Sequence, residues 1–368
     1  MENSIYLVKG VVDQFYSANK DINFYNLIDL LNLKSSTEDI DVEYQPTVGV
    51  GDYILNEGSV KRLSNSFSNE VSLFIKNLME KSIIENLYVI LPTKQLEDSL
   101  YKILGNIIQE CNYSFPNYSN DDVINTFQLV NSEIIGQDAA LKSIHSNIMK
   151  NFVNEDTKVI MIYGPSGVGK TDAILQIHES IFGHKDIRRI QMSMLNDIKG
   201  HDYLFGNDIN ERSLSEDLLK RKSKFILLDE FDKCNPHLYN AFYQMFDESK
   251  YKDNHFEVDL RDNVIFCTSN FQSIEEIIAH VGRPIFSRFD KVVKFEHIAN
   301  DVKQKILYKH VEEVYKNLLD PYKKQVKIED IMNILEHESL ENRNIREIKN
   351  LVVYIFNRYI FNIFLQSK

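Results

Sequence analysis

Eight consecutive residues in the middle of the chain follow the pattern G-x-x-x-x-G-K-T: Gly164, Pro165, Ser166, Gly167, Val168, Gly169, Lys170 and Thr171. Glycines allow backbone N–H groups to turn toward phosphate oxygens, and a helix that begins at the lysine offers them its positive end. In this pattern the lysine reaches the β- and γ-phosphates and the hydroxyl binds Mg²⁺. We predict a site for ATP and Mg²⁺ in which these eight residues bind the nucleotide and Thr171 also binds the metal.

Two neighbouring carboxylates follow a short apolar run about 60 residues later. Phe225–Leu228 is typical of a buried strand, and Asp229 and Glu230 stand directly after it. Phosphoryl transfer to water needs one carboxylate for the Mg²⁺ shell and one that orients or deprotonates the attacking water. We therefore predict that Asp229 is a metal ligand and that Glu230 is catalytic.

An asparagine follows the next apolar run of the chain. Asn263–Cys267 is typical of a third buried strand, and Asn270 comes three residues after it. An uncharged amide at this position can orient the water without cancelling the charge of Glu230. We predict that Asn270 is catalytic as well.

These groups need a scaffold that brings strand ends together. Lys158–Tyr163, directly before the glycine-rich segment, is a further buried-strand candidate, and helical patterns alternate with the strands. Such alternation predicts an α/β fold with a parallel sheet between helices. We assign residues 126–297 to this core, a P-loop NTPase type of fold, and residues 298–368, which are mostly helical by periodicity, to a small helical lid.

The first third of the chain has a different pattern. Helical spacing of apolar residues occurs in Asn23–Leu33 and Ser72–Leu87, and Leu87–Leu91 is typical of a short strand. Two polar stretches are predicted as a loop and as an interdomain linker: Ser35–Asp52 and Asn112–Asp122. We predict a separate small domain over residues 1–125, either α+β or mostly helical, that selects a substrate or partner.

The net negative charge is concentrated in that front part, because basic residues are scarce there. The formal net charge is −12, and residues 1–130 contain 18 of the 54 acidic residues but only 9 of the 42 basic ones. Nucleic-acid binding requires clustered Lys and Arg, so a nucleic-acid partner is not expected. Three scattered cysteines fit reduced thiols in a cytoplasmic protein. The sequence shows neither the pattern of a signal peptide nor an apolar run of ~20 residues, so a membrane location is not expected.

The motifs together give a resemblance to a known family. The segments that carry it are Ile134–Gln137, Gly164–Thr171, Ile190–Ser193, Leu214–Glu216, Leu227–Lys233, Asn263–Asn270, Arg283–Pro284, Arg288–Asp290 and Arg343–Arg346. In this order and spacing they resemble the Clp family of AAA+ ATPases, which are unfoldases and disaggregases, and most of all the second ATPase module of that family. The resemblance does not extend to the first third of the chain.

The resemblance implies further site residues and an assembly. Arg288 matches the arginine finger, which stabilises the transferring phosphoryl group in a neighbouring subunit and so implies a ring, expected to be a hexamer. Arg343 falls where the family has a second sensor arginine in the lid, although a helix-surface arginine is the alternative. Ile134 and Ile135 match residues that pack around the adenine.

The segment that grips substrate in Clp unfoldases is altered here. The family has an aromatic residue between glycines, whereas the alignment puts Leu204 at that position, between Tyr203 and Phe205. We predict that Tyr203 and Phe205 contact a threaded polypeptide in the pore, with burial in the core as the alternative. The hydrophobic loop with which relatives dock on a peptidase is not found after Asn270, so such docking is not expected.

These expectations combine into a Clp-type ATPase that forms a ring and remodels or unfolds protein. The alternative is a nucleotide-dependent switch or assembly ATPase inside a larger complex, for example of a defence or mobile-element system, that threads nothing. Remodelling of DNA is a third possibility, which the acidic balance disfavours.

Overall fold

The computed structural model describes residues 3–34, 49–64, 67–150, 155–195, 198–207 and 211–366. Most of the predicted loop Ser35–Asp52 lies outside these residues. The described chain forms two parallel five-stranded sheets followed by a group of helices. We call the three parts the front domain (residues 3–113), the core domain (residues 118–295) and the lid (residues 300–366).

The described residues of the front domain form five strands and five α-helices. The strands are β1 (Ser4–Gly10), β2 (Tyr25–Asn26), β3 (Gly51–Leu55), β4 (Ile84–Ile90) and β5 (Ile108–Tyr113). The helices are α1 (Val12–Ala18), α2 (Leu27–Lys34), α3 (Glu57–Ser64), α4 (Ser68–Glu80) and α5 (Lys94–Leu104). The sheet order is β2-β3-β4-β1-β5, and all its pairings are parallel.

This topology corrects the sequence-based expectation for the front domain. The domain is α/β, so the prediction of an α+β or mostly helical unit is wrong. Helix α4 ends at Glu80, and the last four residues of the predicted helix Ser72–Leu87 belong to strand β4 instead. The physical reason is that Ile84, Leu87, Val89 and Ile90 are fully buried in the sheet, which outweighs their helical spacing.

The core domain carries the second sheet, in the order β12-β6-β11-β8-β7, again with all pairings parallel. Its strands are β6 (Lys158–Tyr163), β7 (Arg188–Gln191), β8 (Phe225–Asp229), β11 (Val264–Thr268) and β12 (Lys291–Lys294), with the hairpin β9 (Lys250–Lys252) and β10 (Glu257–Asp259) beside them. Its helices are α6 (Asn120–Glu133), α7 (Asp138–Ile148), α8 (Lys170–Phe182), α9 (Ile198–Phe205), α10 (Leu214–Leu219), α11 (Tyr243–Asp247) and α12 (Ile274–Phe286). The three predicted core strands and the α/β class are confirmed.

Strand β6 shows why this sheet is buried on both faces. Val159 and Met161 lie in one hydrophobic cluster, while Ile160 and Ile162 lie in the cluster on the opposite face. Successive side chains of a strand point to opposite faces, so a parallel sheet between two helical layers needs apolar residues at every position. The continuous run KVIMIY meets that need.

The lid consists of α13 (Asn300–Asn317), α14 (Asp320–Lys323), α15 (Ile328–Glu336) and α16 (Ile345–Gln366), as the helical prediction requires. It has a hydrophobic cluster of its own, to which Val311, Ile331 and Val352 contribute fully buried side chains. Among the described residues no helix is long and apolar enough to cross a membrane.

The predicted domain boundaries stay predictions. For the boundary after residue 125, the packing of α6 gives relevant evidence. The boundary after residue 125 falls within α6, and Val123 and Val130 on this helix both belong to the hydrophobic cluster of the core domain. Tyr118 lies in the same cluster. We therefore propose that the core domain begins at about residue 118 rather than 126.

Candidate nucleotide-binding site

The glycine-rich segment forms a turn between β6 and α8 that only glycine can adopt at two points. Gly164 has a φ of +140°, and a Cβ there would lie 2.2 Å from the carbonyl oxygen of Phe295. Gly167 has a φ of +75°, and its Cβ would lie 2.6 Å from Asn344 in the lid. Helix α8 begins at Lys170, so its free N–H groups face the turn.

Lys170 is buried at the base of this turn. Its Nζ donates hydrogen bonds to the carbonyl oxygens of Gly164 and Pro165, both at 2.7 Å, and to Oδ1 of Asn270 at 3.1 Å. Burial lowers the pKa of the ammonium to about 8, and the nearby Asp232 and Asp229 oppose this shift only in part. A phosphate group beside Lys170 would add the missing negative charge, so the residue fits a nucleotide.

Asp229 and Thr171 meet at the carboxyl edge of the sheet. The hydroxyl of Thr171 donates to Oδ1 of Asp229 at 3.1 Å, and Thr268 and Arg189 also hydrogen-bond to this carboxylate. Mg²⁺ in phosphate sites takes one or two protein oxygens and leaves the remaining positions to phosphate and water. The described residues contain no cluster of three His, Cys, Asp or Glu side chains, but this pair of oxygens suffices for such an ion.

Glu230 has a left-handed backbone, with a φ of +55°. Non-glycine residues adopt this conformation at an energetic cost, and it is often found at functional sites. Its N–H donates to Oγ1 of Thr268 at 3.1 Å, and its carboxylate accepts a hydrogen bond of 2.6 Å from Nε2 of Gln191. The sequence did not predict this role of Gln191, because nothing in the strand RRIQ distinguishes it from a solvated end of β7.

Asn270 completes the arrangement from the end of β11. Its side-chain oxygen accepts the hydrogen bond from Lys170, and its N–H donates to Asp232 at 3.3 Å. Asp229, Glu230 and Asn270 line one cavity of about 330 Å³ together with the glycine-rich turn. The structure therefore brings together the residues that the sequence predicts for ATP hydrolysis within a subunit.

The lid closes this cavity with residues other than the one predicted. Arg346, on the first turn of α16, lines the cavity. Arg343 does not, because its guanidinium donates to the carbonyl oxygen of Ser339 at 2.9 Å and pairs with Glu338 at 3.3 Å. Arg346, three residues further along the chain, is therefore a second candidate for the lid arginine, and the predicted sensor role of Arg343 stays a prediction.

A backbone hydrogen bond also ties the lid to the turn. The N–H of Ile345 donates to the carbonyl oxygen of Gly167 at 3.0 Å. Asn344, whose side chain caps α16 by accepting from the N–H of Glu347, packs against the same glycine. The lid and the glycine-rich turn therefore share a direct main-chain contact.

Ile134 and Ile135 lie at a second cavity of about 350 Å³ that adjoins the first. The two cavities share Asp172 and Leu175 of α8 and Lys349 of the lid, and Ile306 of α13 adds a further apolar side chain. The cavity has a mostly polar lining, but its four apolar side chains, Ile134, Ile135, Leu175 and Ile306, offer a surface on which a purine ring beside the phosphate site can pack. This placement agrees with the predicted adenine contact, which itself stays a prediction.

Arg288 lies away from both cavities. Its guanidinium pairs with Asp247 and stacks over the ring of Tyr243 at 4.6 Å. It is partly exposed, with 27% of the side-chain surface accessible. This position cannot serve the nucleotide of the same subunit, so the predicted finger role, which stays a prediction, requires a neighbouring subunit.

The two predicted pore aromatics lie on α9 and are both partly buried. They pack against the large hydrophobic cluster of the core domain, in which Leu204 between them is fully buried. The hydroxyl of Tyr203 donates to Asp217 on α10 at 2.8 Å, and burial followed by the charge of Asp217 raises the pKa of the tyrosine well above its usual value. Phe205 stacks on His201 at 4.5 Å. This placement favours the alternative of a structural role for Tyr203, and substrate contact by either residue stays a prediction.

Comparison with known proteins agrees with this geometry. Residues 155–322 match the model of the AAA domain, Cdc48 subfamily. The chain is 27% identical over 266 residues to the chaperone protein ClpB of Malacoplasma penetrans (strain HF-2), a match that covers 66% of this chain and 38% of the relative. It is 29% identical over 201 residues to the ATP-dependent Clp protease ATP-binding subunit ClpL of Staphylococcus aureus (strain USA300), which covers 48% and 29%. The chain thus spans well under half the length of these relatives.

A solved structure shows the same fold over nearly the whole chain. It is the closed state of Hsp104 with ATPγS and FITC casein, and it matches with a TM-score of 0.56 at 12% sequence identity. The match covers 98% of this chain and 88% of that one. At this identity the likeness concerns the fold alone.

Proposed function

We propose that this chain carries an AAA+ ATPase module of the Clp family and hydrolyses ATP with Mg²⁺ in a ring of subunits to remodel or unfold protein. The observation that carries the proposal is the convergence of Lys170, Asp229, Glu230 and Asn270 on one cavity beside the N-terminus of α8. The relatives named chaperone protein and Clp protease subunit support the remodelling of protein rather than another use of ATP.

Each residue of the cavity has a task in this reaction. The N–H groups of the glycine-rich turn and Lys170 bind the phosphates, and bound Mg²⁺ neutralises their charge. Thr171 and Asp229 are placed to hold that ion. Glu230 orients and deprotonates the attacking water while Gln191 holds its carboxylate, and Asn270 fixes both Lys170 and the water.

The position of Arg288 supports the ring. This residue, which matches the arginine finger of the family, lies outside the cavity of its own chain, so it can act on a transferring phosphate only in a neighbouring subunit. We propose a hexamer in which Arg288 of one subunit reaches the nucleotide of the next. Arg346, from the lid of the same chain, then takes the sensor role first assigned to Arg343.

The connection after Asn270 supports a protein that works without a Clp-type peptidase. Strand β11 ends at Thr268 and helix α12 begins at Ile274, so only the five residues between them form this connection. A docking loop needs a longer insertion there. We propose that substrate is remodelled and released rather than passed on for proteolysis, and that the protein works in the cytoplasm.

One observation favours the alternative function. The hydrogen bond from Tyr203 to Asp217 and the packing of both aromatics against the core reduce what α9 offers to a threaded chain. A nucleotide-dependent switch within a larger complex needs the same cavity and the same ring, but no grip on substrate.

The deciding experiment measures ATP hydrolysis against protein concentration, with and without an unfolded protein such as casein. The ring-shaped remodelling enzyme is expected to show a cooperative rise with concentration, stimulation by casein, and loss of activity in both Glu230→Gln and Arg288→Ala. Slow hydrolysis that ignores casein would give preference to the switch. Full activity of Arg288→Ala would contradict the shared site.

A further inference from the structure

The two sheets of this chain have the same topology. When the strands of each five-stranded sheet are numbered in chain order, both sheets have the order second, third, fourth, first and fifth strand. Every pairing in the two sheets is parallel. The helices follow the same alternation, since α1 follows the first strand of the front domain as α8 follows that of the core domain. The carboxyl edges of the two sheets can therefore be aligned residue by residue.

The ends of the first strands agree in detail. Gly10 ends β1 with a φ of +89°, and a Cβ there would lie 1.9 Å from the carbonyl oxygen of Tyr113, at the end of the fifth strand. Gly164 follows β6 with a positive φ, and its Cβ would lie 2.2 Å from the carbonyl oxygen of Phe295, directly after the fifth strand of the core domain. Gly10 therefore takes the position of Gly164.

An independent hydrogen bond supports the same alignment. Two residues before each glycine, the carbonyl oxygens of Val8 and Ile162 accept from the N–H groups of Leu91 and Ser269, both at 2.9 Å. Leu91 and Ser269 each follow the fourth strand of their sheet at the same distance from its paired residue. The glycines and these bonds are separate observations that give one register.

The register extends to the catalytic strand. Leu55 pairs with Val89 as Leu228 pairs with Cys267, so Leu55 and Leu228 are equivalent. The residues that follow them, Asn56 and Glu57, take the positions of Asp229 and Glu230. By the same count Pro92 takes the position of Asn270.

The front domain lacks the parts that bind a nucleotide. Only Val11 separates Gly10 from helix α1, whereas the five residues Pro165–Gly169 separate Gly164 from α8. A single residue cannot wrap a phosphate, and the first residue of α1 is a valine where α8 has Lys170. Asn56 lies where the core domain has the carboxylate of Asp229, and Pro92 lies where it has the side-chain amide of Asn270.

The core domain lies against this edge. Glu57 pairs with Lys220 at 2.8 Å, and the buried Lys61 on α3 pairs with Glu216 on α10 at 3.4 Å. Leu219 at the end of α10 packs into the apolar cluster of Val8 and Phe15. The edge that would face a nucleotide thus faces helix α10.

Two further contacts extend the interface on either side. The N–H of Lys94, at the start of α5, donates to the carbonyl oxygen of His255 at 3.0 Å, and its ammonium pairs with Glu257 of β10 at 3.0 Å. Lys222, just after α10, pairs with Asp13 of α1 at 3.2 Å. The contacts therefore come from four elements of the front domain and include main-chain as well as side-chain groups.

We propose that the front domain is a second copy of the core fold that binds no nucleotide, and that its former nucleotide edge has become the docking site for α10 of the core domain. The docked helix holds Tyr203 of α9 through Asp217. The front domain thus supports, through α10, the segment that the family uses on substrate. The expectation that residues 1–125 select a substrate or partner stays a prediction.

The first test counts nucleotide sites in the full chain by titration with a fluorescent ADP analogue. One site per chain is expected, and Lys170→Ala is expected to abolish all binding. A second site, or binding that persists in Lys170→Ala and is lost in Glu57→Lys, would overturn the proposal. Because the readout is binding, it is independent of whether the protein remodels a substrate.

The second test measures hydrogen exchange of the amides in residues 214–219. Lys61→Glu places two carboxylates together at a buried contact and is expected to speed this exchange at least tenfold. Lys76→Glu is the matched control, since Lys76 lies exposed on α4 and, within the described part of the chain, pairs with Glu80 of its own helix at 3.9 Å. Unchanged exchange in a folded Lys61→Glu protein, as judged by circular dichroism, would refute the docking site.

Discussion

The front and core domains are built on the same sheet and differ at one edge of it. Both sheets have the same strand order, and in both a glycine lies close to the end of the fifth strand of the sheet. Only the core domain has the five-residue turn, the buried lysine and the two carboxylates. The comparison teaches that nucleotide chemistry in this fold resides in a few edge residues, which can be lost while the sheet remains intact.

The two edges also satisfy their acidic residues differently. In the core domain Asp229 accepts from Arg189, which lies on the neighbouring strand of the same sheet. In the front domain Glu57 pairs with Lys220, which belongs to the other domain. The acidic residue of the core edge has its cationic partner in the same sheet, so this edge stays open to a ligand. The acidic residue of the front edge has its cationic partner in the other domain, so this edge is an interface.

The largest expected effect comes from paired glutamine variants at the equivalent glutamates. Glu230→Gln is expected to lower the rate of ATP hydrolysis by about 100-fold or more, since it removes the general base. Glu57→Gln is expected to change the rate by less than about threefold, since its edge does not contact the nucleotide. Steady-state hydrolysis at saturating ATP measures both, and equal losses in the two variants would remove the distinction between the edges.

Substitution of the equivalent glycines tests the shared geometry. Gly10→Ala is expected to lower the free energy of unfolding by about 2 kcal/mol or more, because the added methyl meets a carbonyl oxygen at a positive φ. Gly105→Ala, in the same domain, is the control, because a Cβ there meets no atom within 4 Å. Denaturant melts compare the two, and similar midpoints would show that Gly10 tolerates a side chain.

The lid arginines give a smaller, kinetic comparison. Arg346→Ala is expected to reduce hydrolysis about tenfold, because it removes a positive charge from the cavity. Arg343→Ala is expected to have little effect, because that guanidinium is bonded to Ser339 and Glu338. The reverse order of effects in steady-state rates would restore Arg343 as the sensor.

The smallest expected effect is a change of nucleotide affinity with pH. The pKa of Lys170 is lowered to about 8 by burial, and a bound phosphate favours the protonated form. The free protein therefore loses the lysine proton as the pH rises through about 8, and binding has to restore it. The Kd for ADP is expected to rise about fourfold between pH 7 and pH 8.5, measured by titration. A flat profile would show that Lys170 keeps its charge.

The phosphate turn and the two strand ends were predictable because their signals are local. Glycines, a lysine and carboxylates at fixed offsets from apolar runs define Gly164–Thr171, Asp229 and Glu230 without knowledge of the fold. Asn270 followed from the same rule, since parallel strands end at one edge.

Other features depend on contacts that no local pattern contains. The parallel front sheet was missed because β2 has only two residues and the apolar residues of β4 also fit helical spacing. Arg343 and Arg346 lie three residues apart at the start of α16, and only the position of this helix over the cavity distinguishes them. The bond from Gln191 to Glu230 joins two strands whose adjacency the sequence does not state.

The hydrogen bond from the N–H of Ile345 to the carbonyl oxygen of Gly167 couples the lid to the phosphate turn. Because both partners are main-chain groups, substitution of either side chain leaves the linkage in place, and only proline at position 345 would remove the donor. A movement of the turn on nucleotide release either tilts α16 or breaks this bond. The position of the lid is therefore linked to the position of the phosphate turn through one main-chain hydrogen bond.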